Sequence, residues 1–160
     1  MPQLVVRTLI FVLVAPGAVL VLVPNRILDA TGDRPAAGLG WLSLVGWVAV
    51  AFGVLLLAWC WVGFMVEGRG TPAPYDPPRQ LVTGRVYRRV RNPMYVGLVL
   101  ALLGESAVFQ SPALLLYAGV AWLCCHLFVV LYEEPALRRR FGAAYDDYRG
   151  QVPRWLPRLR

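Results

Sequence analysis

Long apolar runs alternate with shorter polar ones along this chain, and the lengths of the apolar runs set the first expectation for its fold. Residues 4–23 are about as many as a bilayer-spanning helix needs. Arg7 stands near the start of this run and Pro16-Gly17 inside it. The run reads as a retained helix rather than a signal peptide, because Arg7 is its only basic residue and no small-x-small cleavage site follows. Pro16 predicts a kink, which membrane helices tolerate where neighbours satisfy the freed carbonyl. A polar loop over 24–38 balances Arg26 and Arg34 against Asp29 and Asp33. The next run, 39–66, would be roughly 40 Å long as a helix, so it must tilt or project from the bilayer. Trp41 stands about 27 Å from Trp59 at helical rise, and with Trp61 this predicts an aromatic belt at each interface. Runs 94–109 and 113–132 are joined only by Gln110-Ser111-Pro112, a link short enough to predict a tight antiparallel helical hairpin.

The polar segments orient this pattern. Over 67–93, Arg69, Arg79, Arg85, Arg88, Arg89 and Arg91 oppose only Glu67 and Asp76. The tail, 133–160, carries Arg138, Arg139, Arg140, Arg149, Arg154, Arg158 and Arg160. By the positive-inside rule both face the cytoplasm. Both ends of the hairpin then face one side, and both termini are expected inside. The fold class predicted is all-α: a polytopic membrane helical bundle of about four transmembrane helices with a cytoplasmic C-terminal amphipathic helix, in one integral membrane domain over 1–160. The bacterial inner (plasma) membrane is the expected location. Within the loop, TPAPYDPP cannot be regular helix and reads as an ordered wall or strap. In the tail, Pro135 suits a first helical turn, with Glu133 and Glu134 near its positive end. Leu137, Phe141, Tyr145 and Tyr148 then recur at helical spacing, which predicts an interfacial helix ended by Gly150 and Pro153.

Composition fits this reading. The chain is 58% hydrophobic and 16% charged over 160 residues, well outside the range of ordinary soluble domains. Its net charge is +7, but the arginines lie between apolar runs, where they set topology and meet anionic headgroups, so nucleic acid is not an expected partner. Cys60, Cys124 and Cys125 lie inside apolar runs, which argues for small core residues rather than a disulfide framework. One His, His126, beside two cysteines lacks the ligand spacing of a zinc site, so no metal is expected.

The richest chemistry lies in two polar blocks. The first, LVTGRVYRRVRNPMYVG, begins at Leu81; the second, EEPALRRRFGAAYDDYRGQVPRWLP, begins at Glu133, one helical hairpin later. Together, from about Gly70 onward, they resemble the isoprenylcysteine carboxyl methyltransferase family and its bacterial and phospholipid methyltransferase relatives. That resemblance implies a cytoplasm-facing pocket for S-adenosylmethionine. Carried over by position, Gln80, Leu81, Val82 and Tyr87 would line the cofactor, Asn92, Pro93, Met94 and Tyr95 would form its helix-start part, and Glu133, with Glu134 beside it, would bind it from the fourth helix. The chemistry suits the residue types. A carboxylate accepts from a ribose hydroxyl or an ammonium group, helix-start N–H groups hold a carboxylate, and aromatic rings face a sulfonium.

The residues taken alone carry plainer readings as well. Arg88 and Arg89 serve as topology markers, Tyr87 and Tyr95 suit interface aromatics, and Glu133-Glu134 suits a helix start. The chain also departs from the family pattern. Asn92 stands where the family has His, Val129 stands where members acting on prenylcysteine have an Arg, and Gly84 stands three residues before Tyr87 rather than two. What the resemblance implies is methyl transfer from S-adenosylmethionine to a lipophilic substrate entering from the bilayer: an isoprenylcysteine-like carboxylate, by O-methylation, or a related small or lipid acceptor. An amine or thiol acceptor would need deprotonation. The catalytic candidates are Glu105, His126 and Arg91. Glu105 either pairs with His126 across the hairpin and lines a lipid entrance, or sits near the far interface. Two alternatives are an NADPH-dependent membrane sterol-reductase-like enzyme and a non-enzymatic lipid-binding membrane protein. Neither the acceptor nor the oligomeric state follows from the sequence.

Overall fold

The computed structural model describes residues 14–33, 40–68 and 80–157. The start of the first apolar run with Arg7, the TPAPYDPP segment and Arg79 lie outside the described residues. Among the described residues the chain is an all-α membrane bundle of five helices, α1 Val14–Thr31, α2 Trp41–Val66, α3 Pro93–Phe109, α4 Pro112–Phe141 and α5 Ala143–Gln151. α1, α2 and α4 are each long and apolar enough to cross a membrane, and α3 is a shorter apolar helix of 17 residues.

The first helix does not stop at Val23 but runs to Thr31. Pro24 causes no break because it stands just after a wider, π-wound stretch, Ala18–Leu22. In that winding the next N–H would be Pro24's, which does not exist, and the Val19 carbonyl instead accepts from the Tyr117 hydroxyl of α4 at 3.1 Å. α1 ends at Gly32, whose φ of 73° places it in the left-handed region that a terminating glycine tolerates. Ser111, at the hairpin turn, donates its hydroxyl to Asp33 and accepts from Leu114 N–H at 3.2 Å, which fixes the start of α4 against the end of α1.

α2 and α3 pack through glycines. A Cβ on Gly53 would stand 2.6 Å from the Gly97 carbonyl oxygen, and one on Gly46 would stand 2.7 Å from that of Gly104. In each helix the two glycines are seven residues apart, so they fall on one stripe and let the two backbones meet. Ser43 closes the far end of the contact by donating to the Val108 carbonyl at 3.2 Å. The spacing was visible in the sequence; that the two stripes face each other was not.

The largest difference from expectation lies in α4. It does not end at Tyr132 but continues unbroken to Phe141, with Val129–Glu133 wound as a π stretch. The expected interfacial tail helix is therefore two pieces. Its first part is the end of α4, and its second is α5, redirected at Gly142 where φ is 54°. After α5 the chain turns extended at Val152 and bends back to the start of α3, where Arg91 N–H donates to the Pro153 carbonyl at 2.9 Å.

Candidate functional site: a cavity at the start of α3 and the end of α4

Between the start of α3, the end of α4, α5 and the short turn Arg85–Arg88 lies a cavity of about 540 Å³. Its size falls within the ~300–1,000 Å³ usual for small-molecule sites. Of the residues implicated by sequence, Leu81, Val82, Tyr87, Arg91, Asn92, Met94, Tyr95, Glu133 and Glu134 all line it. Gln80 is exposed and does not, and Pro93 is buried at the first position of α3, where it sets the helix start.

Glu133 is delivered by the π stretch at the end of α4, a winding often found at functional sites. Its Oε2 accepts from the Tyr95 hydroxyl at 2.9 Å, a link between the two polar blocks that joins α4 to the first turn of α3. Tyr87 comes from the Arg85–Arg88 turn, which Glu67 pins by accepting from Gly84 N–H at 3.2 Å and from Arg85 Nε at 3.0 Å. That clamp holds Arg85 at φ 51°, a conformation costing about 1–2 kcal/mol for a side-chain-bearing residue. The Tyr87 ring meets Phe64 edge-on at 5.7 Å, and its hydroxyl, buried beside Cys60, makes no full hydrogen bond to a described residue.

Glu134 behaves differently from its neighbour. Its Oε1 accepts from Arg91 Nη1 and from Arg154 Nε, both at 2.8 Å, and its Oε2 accepts from Arg154 Nη2 at 2.9 Å. Arg91 and Glu134 are nearly buried, at 9% and 10% side-chain exposure, so this is an interior ion cluster rather than a surface pair. Arg91 also donates to the Tyr145 hydroxyl and to the Val152 carbonyl, and Asn92 Nδ2 donates to the Arg154 carbonyl. Arg91, Asn92 and Glu134 thus tie the C-terminal strap to the rim of the cavity. Hydrogen bonding to Glu134 raises the Arg154 pKa further above the ordinary arginine range.

The outer wall is aromatic. Leu137, Phe141, Tyr145 and Tyr148, expected on the membrane-facing side of an interfacial helix, all line the cavity instead. Tyr148 donates to the Tyr87 carbonyl at 2.7 Å. Burial raises the Tyr87, Tyr145 and Tyr148 phenols above the ordinary tyrosine range, so they are neutral donors at physiological pH. Cys124, Cys125, Phe128, Tyr132 and Arg140 were not among the sequence candidates, yet they line the cavity too. The signal for most of the α4 members was available, since Cys124, Phe128, Tyr132, Ala136 and Arg140 recur at steps of four.

Two of the catalytic candidates lie outside the cavity and are not paired. Glu105 stands five residues before the hairpin turn and His126 fifteen after it, which places them roughly 15 Å apart along the axes of antiparallel helices. His126 Nδ1 accepts from Trp155 Nε1 at 3.2 Å, and its ring stacks on Trp122 at 5.5 Å. Glu105 Oε2 is buried without a partner among the described residues. Arg91, the third candidate, does line the cavity. Among the described residues no three His, Cys, Asp or Glu side chains are grouped as metal ligands.

The sequence is similar to several curated proteins. It is 36% identical over 77 residues to methanethiol S-methyltransferase 2 of Bradyrhizobium diazoefficiens, covering 48% of this chain and 29% of that one. It is 28% identical over 118 residues to the nickel-cobalt-cadmium resistance protein NccN of Alcaligenes xylosoxydans xylosoxydans, covering 74% and 51%. It is 35% identical over 78 residues to the protein-S-isoprenylcysteine O-methyltransferase of Schizosaccharomyces pombe, covering 48% and 33%. The chain thus spans between about a third and a half of the length of these relatives. The family model for phospholipid methyltransferases matches residues 41–144, which include α2, α3, α4 and most of the cavity wall, and the chain belongs to the phospholipid methyltransferase family.

Proposed function

We propose that this protein is an integral membrane methyltransferase that binds S-adenosylmethionine from the cytoplasm in the cavity between α3 and α4 and methylates a lipophilic acceptor reaching the cavity from the bilayer. The observation that carries the reading is the convergence of Glu133, Tyr95 and Tyr87, from three separate elements, on one cavity of suitable size. The names of the relatives as S- and O-methyltransferases support it, and favour it over a reductase or a scaffold.

The lining fits such a donor. The buried Tyr87 hydroxyl lacks a full hydrogen bond and is able to serve a polar group of a ligand. Glu133, held by Tyr95, accepts from a ribose hydroxyl or an ammonium group. The first turn of α3 leaves the N–H groups of Met94 and Tyr95 without intrahelical acceptors, a place for a carboxylate. S-adenosylmethionine, when bound, supplies a methyl group on a sulfonium centre. The rings of Phe64, Tyr87, Tyr95 and Tyr132 furnish a wall that favours cationic charge and excludes water. Arg91 and Glu134 hold the strap that closes the site, so the chain contributes positioning, which by itself lowers a bimolecular barrier substantially.

The test is thermal unfolding of the solubilised protein with S-adenosylhomocysteine and, in parallel, NADPH. Saturating S-adenosylhomocysteine at about 100 Kd adds ~2.7 kcal/mol and raises Tm by several degrees. A shift with NADPH alone would reject the methyltransferase reading.

A further inference from the structure

Four charged side chains border the cavity: Arg91, Glu133, Glu134 and Arg140. Three of them are engaged inside the protein. Arg91 is bound to Glu134, Glu134 is bound a second time by Arg154, and Glu133 accepts from Tyr95. Arg140 differs. Among the described residues its guanidinium has no carboxylate partner, whereas nearby Arg138 is paired with Asp146 at 3.1 Å. It lies 5.6 Å from the centroid of the Phe141 ring, another lining side chain.

Its position on α4 matters as much as its freedom. Arg140 follows Glu133 by seven residues, two helical turns, so the two share a stripe with Arg140 roughly 10 Å further along. On the other side of Glu133, Phe128 and Tyr132 line the cavity with rings 5.1 Å apart. One wall therefore grades from apolar, in the membrane-spanning part of α4, to cationic at its outer end. An amphiphile lying in a bilayer leaflet has the same polarity in the same direction.

Charge points the same way. Counting Arg154, the charged groups of the site carry three positive charges against two negative. S-adenosylmethionine adds a net positive charge, from its sulfonium and ammonium against one carboxylate. A cationic acceptor would enter a cavity of its own sign, and an anionic one would complement it.

The geometry points to Arg140 as an anion-binding residue that holds the carboxylate or phosphate head group of an amphiphilic acceptor, with the apolar part of that molecule along Phe128 and Tyr132. The word acceptor rests on the methyltransferase reading; the amphiphile site itself is tested separately from it. Val129, at the position where prenylcysteine-acting members have an Arg, is fully buried, and Arg140 supplies a cation from the other end of the same helix stretch.

The experiment measures binding of laurate, methyl laurate, dodecylamine and S-adenosylhomocysteine to the full chain in phosphatidylcholine nanodiscs. Laurate binds at least about tenfold more tightly than its ester or the amine, as a charge-assisted contact requires. Arg140→Gln abolishes that preference and leaves S-adenosylhomocysteine affinity within about twofold, and Arg140→Lys retains part of the preference. Arg140-dependent competition by phosphatidylglycerol added to the disc supports the site and identifies a phospholipid head group as the anion's source. Equal binding of acid and ester, tighter binding of the amine, or an Arg140→Gln loss as large for S-adenosylhomocysteine as for laurate overturns the proposal. Failure of S-adenosylhomocysteine to bind the wild-type protein counts against the methyltransferase reading, while the laurate preference in wild type and its loss or retention in Arg140→Gln decide the Arg140 site.

Discussion

Tyr95 donates its hydroxyl to Glu133 across 2.9 Å, and this one bond joins the first turn of α3 to the π-wound end of α4. The two residues are 38 positions apart, separated by the whole hairpin. With the hydroxyl in place, one carboxylate oxygen is fixed at the cavity wall.

Removing either member should therefore affect ligand binding more than folding. Glu133→Ala is expected to weaken S-adenosylhomocysteine binding by about tenfold to a hundredfold, the range for a hydrogen bond to a charged group. Tyr95→Phe should weaken it by less, because the carboxylate remains and only its orientation loosens. Titration calorimetry on the two variants provides the comparison, and unchanged affinity in Glu133→Ala would remove Glu133 from the site.

Glu134 has the opposite character. Both its oxygens are held by arginines, Arg91 nearly buried and Arg154 a third exposed, and taking it away leaves the Arg91 cation buried without its carboxylate. Glu134→Ala should destabilise the protein by about 3–5 kcal/mol. Its second consequence is local: with Arg91 and Arg154 released, the strap after α5 should become accessible to trypsin at Arg154. A variant cleaved no faster than wild type would show that the strap is held by other contacts.

The glycine contact between α2 and α3 gives a steric prediction with an internal control. Gly53→Ala places a Cβ 2.6 Å from a backbone oxygen that cannot move aside, at an expected cost of about 1–3 kcal/mol. Gly119→Ala, on α4, meets nothing within 4 Å and should be neutral or stabilising by up to about 1 kcal/mol. Thermal unfolding of both in one detergent separates packing from helix propensity.

The buried phenols Tyr87, Tyr145 and Tyr148 predict an alkaline limit. Burial raises all three above the ordinary tyrosine value, which is near 10 in an unfolded chain. Above about pH 10 the unfolded state has released protons that the folded state keeps, so stability falls as pH rises. Below that value their contribution is complete. Tm measured from about pH 8 to about pH 11 should stay level with respect to these groups and then drop, and the drop should be shallower in Tyr148→Phe. An identical slope in that variant would exclude Tyr148 as a contributor.

How much of this was legible beforehand differs by element. The apolar runs predicted α2 and α3 to within two residues at either end, because burial in lipid demands length and hydrophobicity and both are local properties of the chain. The polar block from Leu81 to Tyr95 and the Glu133 position stood out through the family resemblance, since taken alone Tyr87 and Tyr95 suit interface aromatics and Glu133 suits a helix start. The end of α4 was not. Its residues change from apolar to charged at Glu133, and a rule based on hydropathy ends the helix there, whereas the backbone continues to Phe141 because Pro135 follows the π stretch Val129–Glu133 as Pro24 follows Ala18–Leu22, where the missing N–H breaks no turn, and nothing before Gly142 ends the helix.

The sequence by itself determined the class of the molecule and the helices α2 and α3, and it set out the two polar blocks, since hydrophobic length and residue chemistry act locally. Only the tertiary structure decided how the blocks meet. Arg91 and Glu134 are 43 positions apart and Arg91 and Tyr145 are 54 apart, so no periodicity links them. The hairpin geometry likewise sets Glu105 and His126 about 15 Å apart, and it gives His126 to Trp155 instead. Packing also distinguished two adjacent glutamates that the sequence presents alike. Glu134 is neutralised by two arginines as part of the framework, and Glu133, one residue earlier and turned by a π stretch, faces the cavity with Tyr95.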